Sequence, residues 1–116
     1  MTNPISNLIA EKGWCVADGA TGSNFFGRGL EAGYPPELWC VERPDEVIRL
    51  HAAFLSAGAD LILTNSFGAN APRLKLHKSE NRVYEINKAA AGLAREAIDQ
   101  HAKVTGRRAL VAGSMG

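Results

Sequence analysis

The sequence predicts an α/β fold in which short parallel strands alternate with helices. Three largely apolar runs, at residues 14–17, 59–64 and 109–112, lead to this prediction. They show no polar alternation, which is typical of strands buried on both faces of a parallel sheet. Enough chain separates successive runs to hold a crossover helix, so the strands should run parallel with right-handed connections.

The first predicted helix covers Pro4–Lys12, where apolar side chains recur at helical spacing. Asn3 can cap its first turn, and Gly13 stops it. The strand at residues 14–17 follows, and after it we predict a long loop. That loop is broken up by Gly22, Gly27, Gly29, Gly33, Pro35 and Pro36.

A second helix is predicted from Pro44 to a stop at Gly58. Asp45 and Glu46 suit the positive end of its dipole. Its predicted buried stripe consists of Val47, Leu50, Phe54 and Leu55.

An irregular connection is predicted over residues 72–78, before a long helix that Ser79 can cap and Gly106 ends. The predicted buried positions of that helix are Val83, Ile86, Ala90, Leu93, Ala94, Ala97 and Ile98. Three parallel strands joined by two helices leave both sheet edges unpaired and one face poorly covered. We therefore interpret residues 1–116 as the N-terminal portion of a larger domain, cut after its third strand.

Composition narrows the classes of function. Net charge is +1, from 13 basic and 12 acidic residues, which argues against a nucleic-acid or membrane-surface binder. No apolar run approaches the roughly 18 residues that span a bilayer, and the N-terminus lacks a secretory pattern. Two cysteines, Cys15 and Cys40, in no CxxC pattern fit a reducing cytoplasm.

Small polar residues follow all three predicted strands, at residues 18–22, 64–68 and 113–116. Ligands of parallel α/β folds bind where the carboxyl ends of strands converge, although such residues also serve simply as turns and caps. Neither a dinucleotide nor a P-loop fingerprint is present. The Asp18 carboxylate suits an ammonium group, and Thr64 with neighbouring amides could hold a carboxylate, so we predict an α-amino acid site.

The cysteines, His51 and the aromatic residues near the first strand give weaker indications of function. Cys15 is expected to be a small buried hydrophobe, and Cys40, in a loop, neither a nucleophile nor a metal ligand. His51 is expected along the polar edge of its helix. Tyr34 and Trp39 could cage a quaternary ammonium if they are exposed, while ordinary loop packing is the alternative.

Four segments together resemble the homocysteine S-methyltransferase family. They are DGATG at residues 18–22, ELW at 37–39, AGADLILTNSFG at 57–68 and VAGS at 111–114. The resemblance is closest to the bacterial betaine–homocysteine S-methyltransferases, with the homocysteine domain of cobalamin-dependent methionine synthase as the alternative. It implies a (β/α)8 TIM barrel, of which this chain would supply about three strands.

The resemblance also implies site residues. Asp18 with Gly19 would bind the amino acid part of homocysteine, Thr64 would help to hold the same group, and Phe67 would line the pocket. Homocysteine in this family is activated on a zinc ion held by three cysteines late in the barrel. No residue of this chain is therefore assigned as a metal ligand or a catalytic group.

The implied reaction transfers a methyl group from a cationic donor, betaine in the closest subfamily, to homocysteine and gives methionine. Gly68 stands where animal betaine enzymes carry an aromatic residue, so the identity of the donor stays open. The implied partners are homocysteine and a small methyl donor, with a homo-oligomer possible. Two alternatives remain: an aldolase- or lyase-like barrel with Asp18 as acid/base, and an inactive barrel fragment.

Overall fold

The computed structural model describes residues 3–116 and confirms an α/β chain. The helices are α1 (Pro4–Lys12), α2 (Gly22–Phe26), α3 (Trp39–Glu42), α4 (Pro44–Ser56), α5 (Ala71–Lys75) and α6 (Val83–Thr105). The strands are β1 (Leu61–Leu63) and β2 (Leu110–Ala112), and 3-10 turns lie at Pro36–Leu38 and Glu80–Arg82. None of the helices in the described residues is both long enough and apolar enough to cross a membrane.

The sheet consists of β1 and β2, which pair in parallel with Leu61 opposite Leu110 and Leu63 opposite Ala112. The helix α6 lies between them in the chain, as a parallel connection requires. The second and third predicted strands and their parallel pairing are therefore confirmed.

The prediction that residues 14–17 form a strand buried on both faces is wrong. Only Ala17 forms a bridge, to Leu61, and two backbone hydrogen bonds flank it: Leu61 N donates to Val16 O, and Asp18 N donates to Leu61 O. Trp14 is 62% exposed and Val16 45% exposed. No element in residues 3–116 covers this edge, so the apolar composition does not lead to burial.

The two faces of the sheet have different surroundings. Ile62 is fully buried against Leu55 of α4 and Ile98 of α6, and Val111 packs beside them. Leu63 points to the opposite face, because side chains alternate along a strand, and it is 42% exposed. The helices thus cover one face only, which confirms the expectation of a poorly covered sheet.

The core lies between α4 and α6, where the helical periodicity of the sequence identified nearly all buried positions. Six of the seven predicted positions of α6 are buried, while Val83 is half-buried. In α4 the predicted stripe is buried except for Phe54, which is half-buried.

The helix ends follow the predicted caps in part. Asn3 Oδ1 accepts a hydrogen bond from Ile5 N at 2.9 Å, and Gly106 ends α6 with a φ of 75°. Ser79, in contrast, makes no cap hydrogen bond, because a 3-10 turn precedes α6. The irregular connection predicted for residues 72–78 contains most of α5, which Asn70 caps by accepting from Arg73 N.

A buried carboxylate ties α1 to the sheet. Asp60, which directly precedes β1, is only 3% exposed. Its two oxygens each lie 2.8 Å from Lys12 Nζ, and they also accept from Val16 N and from Arg107 Nη1, both at 3.1 Å. The hydrogen bond from Lys12, above all, lowers the pKa of this carboxyl, so the carboxylate contributes stability that is lost at acidic pH.

Asp60→Asn should lower the free energy of unfolding by about 1.5–3 kcal/mol, since it removes the charge that two cations share. Asp99→Asn is the matched control, because Asp99 forms an exposed pair with Arg108 and should change stability by roughly 0–1 kcal/mol. Chemical denaturation measures both. Equal losses in the two variants would contradict the importance assigned to Asp60.

His51 is buried within α4 rather than placed on its polar edge, so that expectation is wrong. It is 4% exposed, and neither ring nitrogen has a hydrogen-bond partner among the described residues. Burial lowers the pKa of its imidazole from 6.5 to about 4. Folding therefore favours the neutral ring.

Stability should fall as pH decreases from about 6.5 to 4, because the unfolded imidazole takes up a proton over this range and the folded one does not. At pH 4 this effect of His51 should lower the free energy of unfolding by about 3 kcal/mol relative to neutral pH. His51→Leu should remove that part of the pH dependence in denaturant titrations. His77→Gln, which changes an exposed histidine, should retain it.

Candidate functional site

The Asp18 side chain replaces a backbone group at the end of the sheet. Its Oδ2 accepts from Leu63 N at 3.1 Å, where a continuing parallel ladder would use the carbonyl of residue 18. Burial raises the pKa of this carboxyl, and the hydrogen bond from Leu63 opposes the shift. The carboxylate is thus fixed at the carboxyl end of β1, and no other residue of the described chain donates to Oδ1.

Gly19 brings the loop after Asp18 close to α4. A Cβ at this position would lie 3.3 Å from Cε1 of Phe54, closer than the ring could accept without moving. A glycine here therefore lets the Asp18 loop pack against α4.

Thr64, Ser66 and Ser114 form a hydrogen-bonded network between the ends of β1 and β2. Thr64 Oγ1 lies 2.6 Å from Ser66 Oγ, Ser66 Oγ donates to Ser114 O at 2.9 Å, and Ser114 N donates to Thr64 Oγ1 at 3.0 Å. Because the single hydroxyl proton of Ser66 goes to Ser114, Thr64 must donate its own proton to Ser66.

The Thr64 hydroxyl consequently has only acceptor capacity left for a ligand. It accepts from Ser114 N with one lone pair, and a second lone pair stays available. The prediction that Thr64 and the neighbouring amides hold the carboxylate of an amino acid stays a prediction, and in this network the amides rather than the hydroxyl have protons to donate.

Phe67 is exposed and lines three cavities beside the strand ends. One, of about 360 Å³, is also lined by Tyr34 and Glu37, a second, of about 300 Å³, by Ser66 and Ser114, and a third, of about 430 Å³, by Asn70 and Arg73. The structure thus places all four predicted site residues at the carboxyl edge of the sheet: Asp18, Gly19, Thr64 and Phe67.

Two residues of this region were not singled out by the sequence analysis. Asn65 is buried, and its Nδ2 donates to Pro36 O at 2.9 Å. This hydrogen bond connects the 3-10 turn at Pro36–Leu38 to the end of β1. Glu37 is 8% exposed and lines the cavity that Tyr34 also borders. Both belong to segments that carried the family resemblance, but their roles depend on contacts between distant parts of the chain.

The possible aromatic cage does not include Trp39. Its ring is buried, packs against Phe25 at 4.8 Å between centroids, and has the Arg43 guanidinium over it at 4.5 Å. Tyr34 is half-buried, and its hydroxyl donates to Glu42 at 2.6 Å. Of these two aromatic residues, only Tyr34 can therefore contact a ligand.

The cysteines are poorly suited to a metal. Cys40 lies in α3 rather than in a loop, and burial raises the pKa of its thiol to about 12. Cys15 is half-buried. Within residues 3–116 no group of three or more His, Cys, Asp or Glu side chains could hold a metal ion.

Comparison with known proteins identifies relatives of the chain. The sequence model of a family described as homocysteine S-methyltransferase matches residues 15–116. Methionine synthase of Mycobacterium tuberculosis is 31% identical over 109 residues, which are 87% of this chain and 9% of that protein.

Two solved structures of the homocysteine methyltransferase MmuM from Escherichia coli share the fold. The metallated form superposes with a TM-score of 0.88 at 24% identity and covers 98% of this chain. The oxidized form gives a TM-score of 0.86 at 25% identity and covers 99%. The chain spans 41% of the length of each structure.

Thr64→Val should lower the free energy of unfolding by about 1–3 kcal/mol, because Ser114 N and Ser66 Oγ each lose a partner in a buried setting. Thr21→Val is the control, since the Thr21 side chain makes no cap hydrogen bond and should change stability by less than about 0.5 kcal/mol. Denaturant titration of both variants compares them directly. Similar effects would show that the network contributes little.

Proposed function

The chain belongs to the homocysteine S-methyltransferase family, and from that premise we propose that it binds the amino acid part of homocysteine in an enzyme that methylates the homocysteine thiol. The product of that reaction is methionine. The binding residues that we propose are Asp18, Gly19, Thr64 and Phe67.

The observation that carries this proposal is the fixed carboxylate of Asp18. Its Oδ2 is held by Leu63 N, so Oδ1 has a defined position beside the strand ends. Thr64, the next residue after β1, offers an acceptor as well. Two acceptors, one of them charged, are complementary to the ammonium group of an α-amino acid.

We further infer that a complete (β/α)8 barrel surrounds these residues in the enzyme. The uncovered sheet face that carries Leu63 supports this inference, because barrel interiors are packed with apolar side chains from the strands. The similarity to MmuM, of which this chain spans 41%, supports it too.

Zinc, which the family resemblance implies, does not fit the residues described here. The Cys40 thiol is buried and protonated at neutral pH, and no other side chain of residues 3–116 forms a suitable cluster with it. We therefore assign no step of the reaction to a metal in this part of the enzyme. The residues of this chain bind and orient the amino acid, so that its sulfur is presented in a defined direction.

The donor is the open part of the proposal. A cationic donor such as betaine is one candidate, and the similarity to the methionine synthase of M. tuberculosis keeps the methionine synthase reaction as a second.

Asp18→Asn in the full-length enzyme should raise the KM for homocysteine about 10- to 150-fold. The change removes the charge but leaves an oxygen that can still accept from Leu63 N, and a hydrogen bond between charged groups is worth roughly 1.5–3 kcal/mol. Steady-state kinetics with homocysteine varied at a saturating donor concentration measure the effect.

Asp45→Asn, at an exposed position in the first turn of α4, is the control and should keep the wild-type KM. The KM for the donor should stay unchanged in both variants. A variant at position 18 with normal homocysteine KM and lowered kcat would instead support proton transfer by Asp18, as in the aldolase-like alternative.

A further inference from the structure

Asn87 is a half-buried polar side chain of α6 to which the proposed function gives no role. It lies between Ile86 and Ala90, which are both buried in the core. Asparagine is a poor helix former, because its side chain competes with the backbone for hydrogen bonds. An asparagine at this position of α6 therefore indicates that its amide binds a group outside the regular helix.

The amide of Asn87 joins α6 to the turn that follows β1. Its Nδ2 donates to Ala69 O and to Val83 O, both at 2.8 Å. Both acceptors are backbone carbonyls, so only the orientation with Nδ2 toward them forms these hydrogen bonds. Val83 lies one turn earlier in the same helix, and its carbonyl thus fixes the orientation in which the amide reaches Ala69.

The turn at residues 66–69 is closed by a hydrogen bond of its own. Ala69 N donates to Ser66 O at 3.0 Å, and Ala69 is 5% exposed beside Ile86. Within the part of the chain that the structure describes, Asn87 is the only residue of α6 whose side chain donates to this turn. Its amide therefore fixes the distance between the turn and the helix.

The same turn carries one member of the hydroxyl network at the candidate site. Ser66 Oγ lies 2.6 Å from Thr64 Oγ1 and donates to Ser114 O at 2.9 Å. Ser66, Ser114 and Asn87 all line the cavity of about 300 Å³. A displacement of the turn would therefore move the hydroxyl that accepts the proton of Thr64.

We propose that Asn87 is a positioning residue for the candidate site, because it holds the turn at residues 66–69 where Ser66 can accept from Thr64. This inference rests on the proposed function, in which Thr64 binds homocysteine. Both amide protons of Asn87 are used within the protein. Its effect on the ligand is therefore transmitted by Ser66 and Thr64.

A purely structural role is the alternative, because Ala69 also belongs to an apolar cluster with Leu38, Leu74 and Ile86. Loss of the amide would then lower the fraction of folded enzyme and leave the affinity of the folded enzyme unchanged. The KM for homocysteine separates the two roles, since it does not depend on how much of the enzyme is folded.

Asn87→Leu in the full-length enzyme removes the donor of Ala69 O at nearly constant volume. The KM for homocysteine should rise about 3- to 10-fold, as expected for one neutral hydrogen bond, while kcat should change by less than about twofold. Asn87→Gln keeps the donors on a longer side chain, so it should give a smaller rise and serves as the second variant. Circular dichroism and thermal unfolding establish that the variants are folded.

Gln100→Leu is the matched control. It removes an exposed amide from the same helix, where Gln100 donates to Glu96, and it should keep the wild-type KM.

Ser66→Ala tests whether the effect passes through the Ser66 hydroxyl. Asn87→Leu should raise the KM less in the Ser66→Ala background than in the wild type, because the hydroxyl that Asn87 positions is already absent there. Interaction of this kind between two substitutions shows that they act on one network.

Hydrogen exchange of the free enzyme tests the same step without any substrate. The Ser114 amide donates to Thr64 Oγ1, and in Asn87→Leu it should exchange about 3- to 10-fold faster than in the wild type. The Leu110 amide donates to Asp60 O at the opposite end of the sheet and should keep its exchange rate.

Three results would each overturn the positioning role. They are an unchanged homocysteine KM in Asn87→Leu beside a raised KM in Asp18→Asn, equal fold-changes in the two backgrounds, and an unchanged exchange rate of the Ser114 amide. The first of these leaves the proposed function intact. Conversely, an unchanged KM in Asp18→Asn would overturn the proposed function and would not alter the exchange rates.

Discussion

The buried carboxylate of Asp60 is the interaction on which the arrangement of this chain depends. It binds Lys12 at the end of α1 and Arg107 before β2, and it accepts from the backbone of Val16. The backbone of Asp60 also donates to Val16 O and accepts from Leu110 N. Asp60 therefore holds the end of α1, the segment at Val16 and the start of β2 next to β1. The register between these segments determines which residues lie together at the opposite end of the sheet.

The two ends of the sheet are built differently for this reason. At the amino end the cations enclose the Asp60 charge, so it contributes stability and has no capacity left for a ligand. At the carboxyl end Asp18 keeps one oxygen without a donor from another residue, and Thr64 keeps one lone pair. Stability and binding capacity are thus separated along strands only three residues long.

The sequence was sufficient to predict features that depend on residues close together in the chain. The cap by Asn3 and the buried face of α6 follow from local geometry and helical period. The exposure of Trp14 was not predictable, because burial depends on which elements cover a strand. The approach of Glu37 to Gly68 was also not predicted, since it is a contact between distant segments of the chain. For the candidate site, the sequence predicted residues that lie together at the strand ends, but it could not predict the directions of their hydrogen bonds.

Those directions constrain what the rest of the enzyme must supply. Asp18 and Thr64 present only acceptors at this edge of the sheet, which in the proposed function suits them to the ammonium group of the amino acid. An amino acid also carries a carboxylate, and a carboxylate needs donors. Since the Thr64 hydroxyl proton is used by Ser66, the proposed function needs donors for that carboxylate from backbone N–H groups or from side chains elsewhere in the proposed barrel. The amino acid would then be held between two parts of the protein, and its orientation would depend on how the barrel closes.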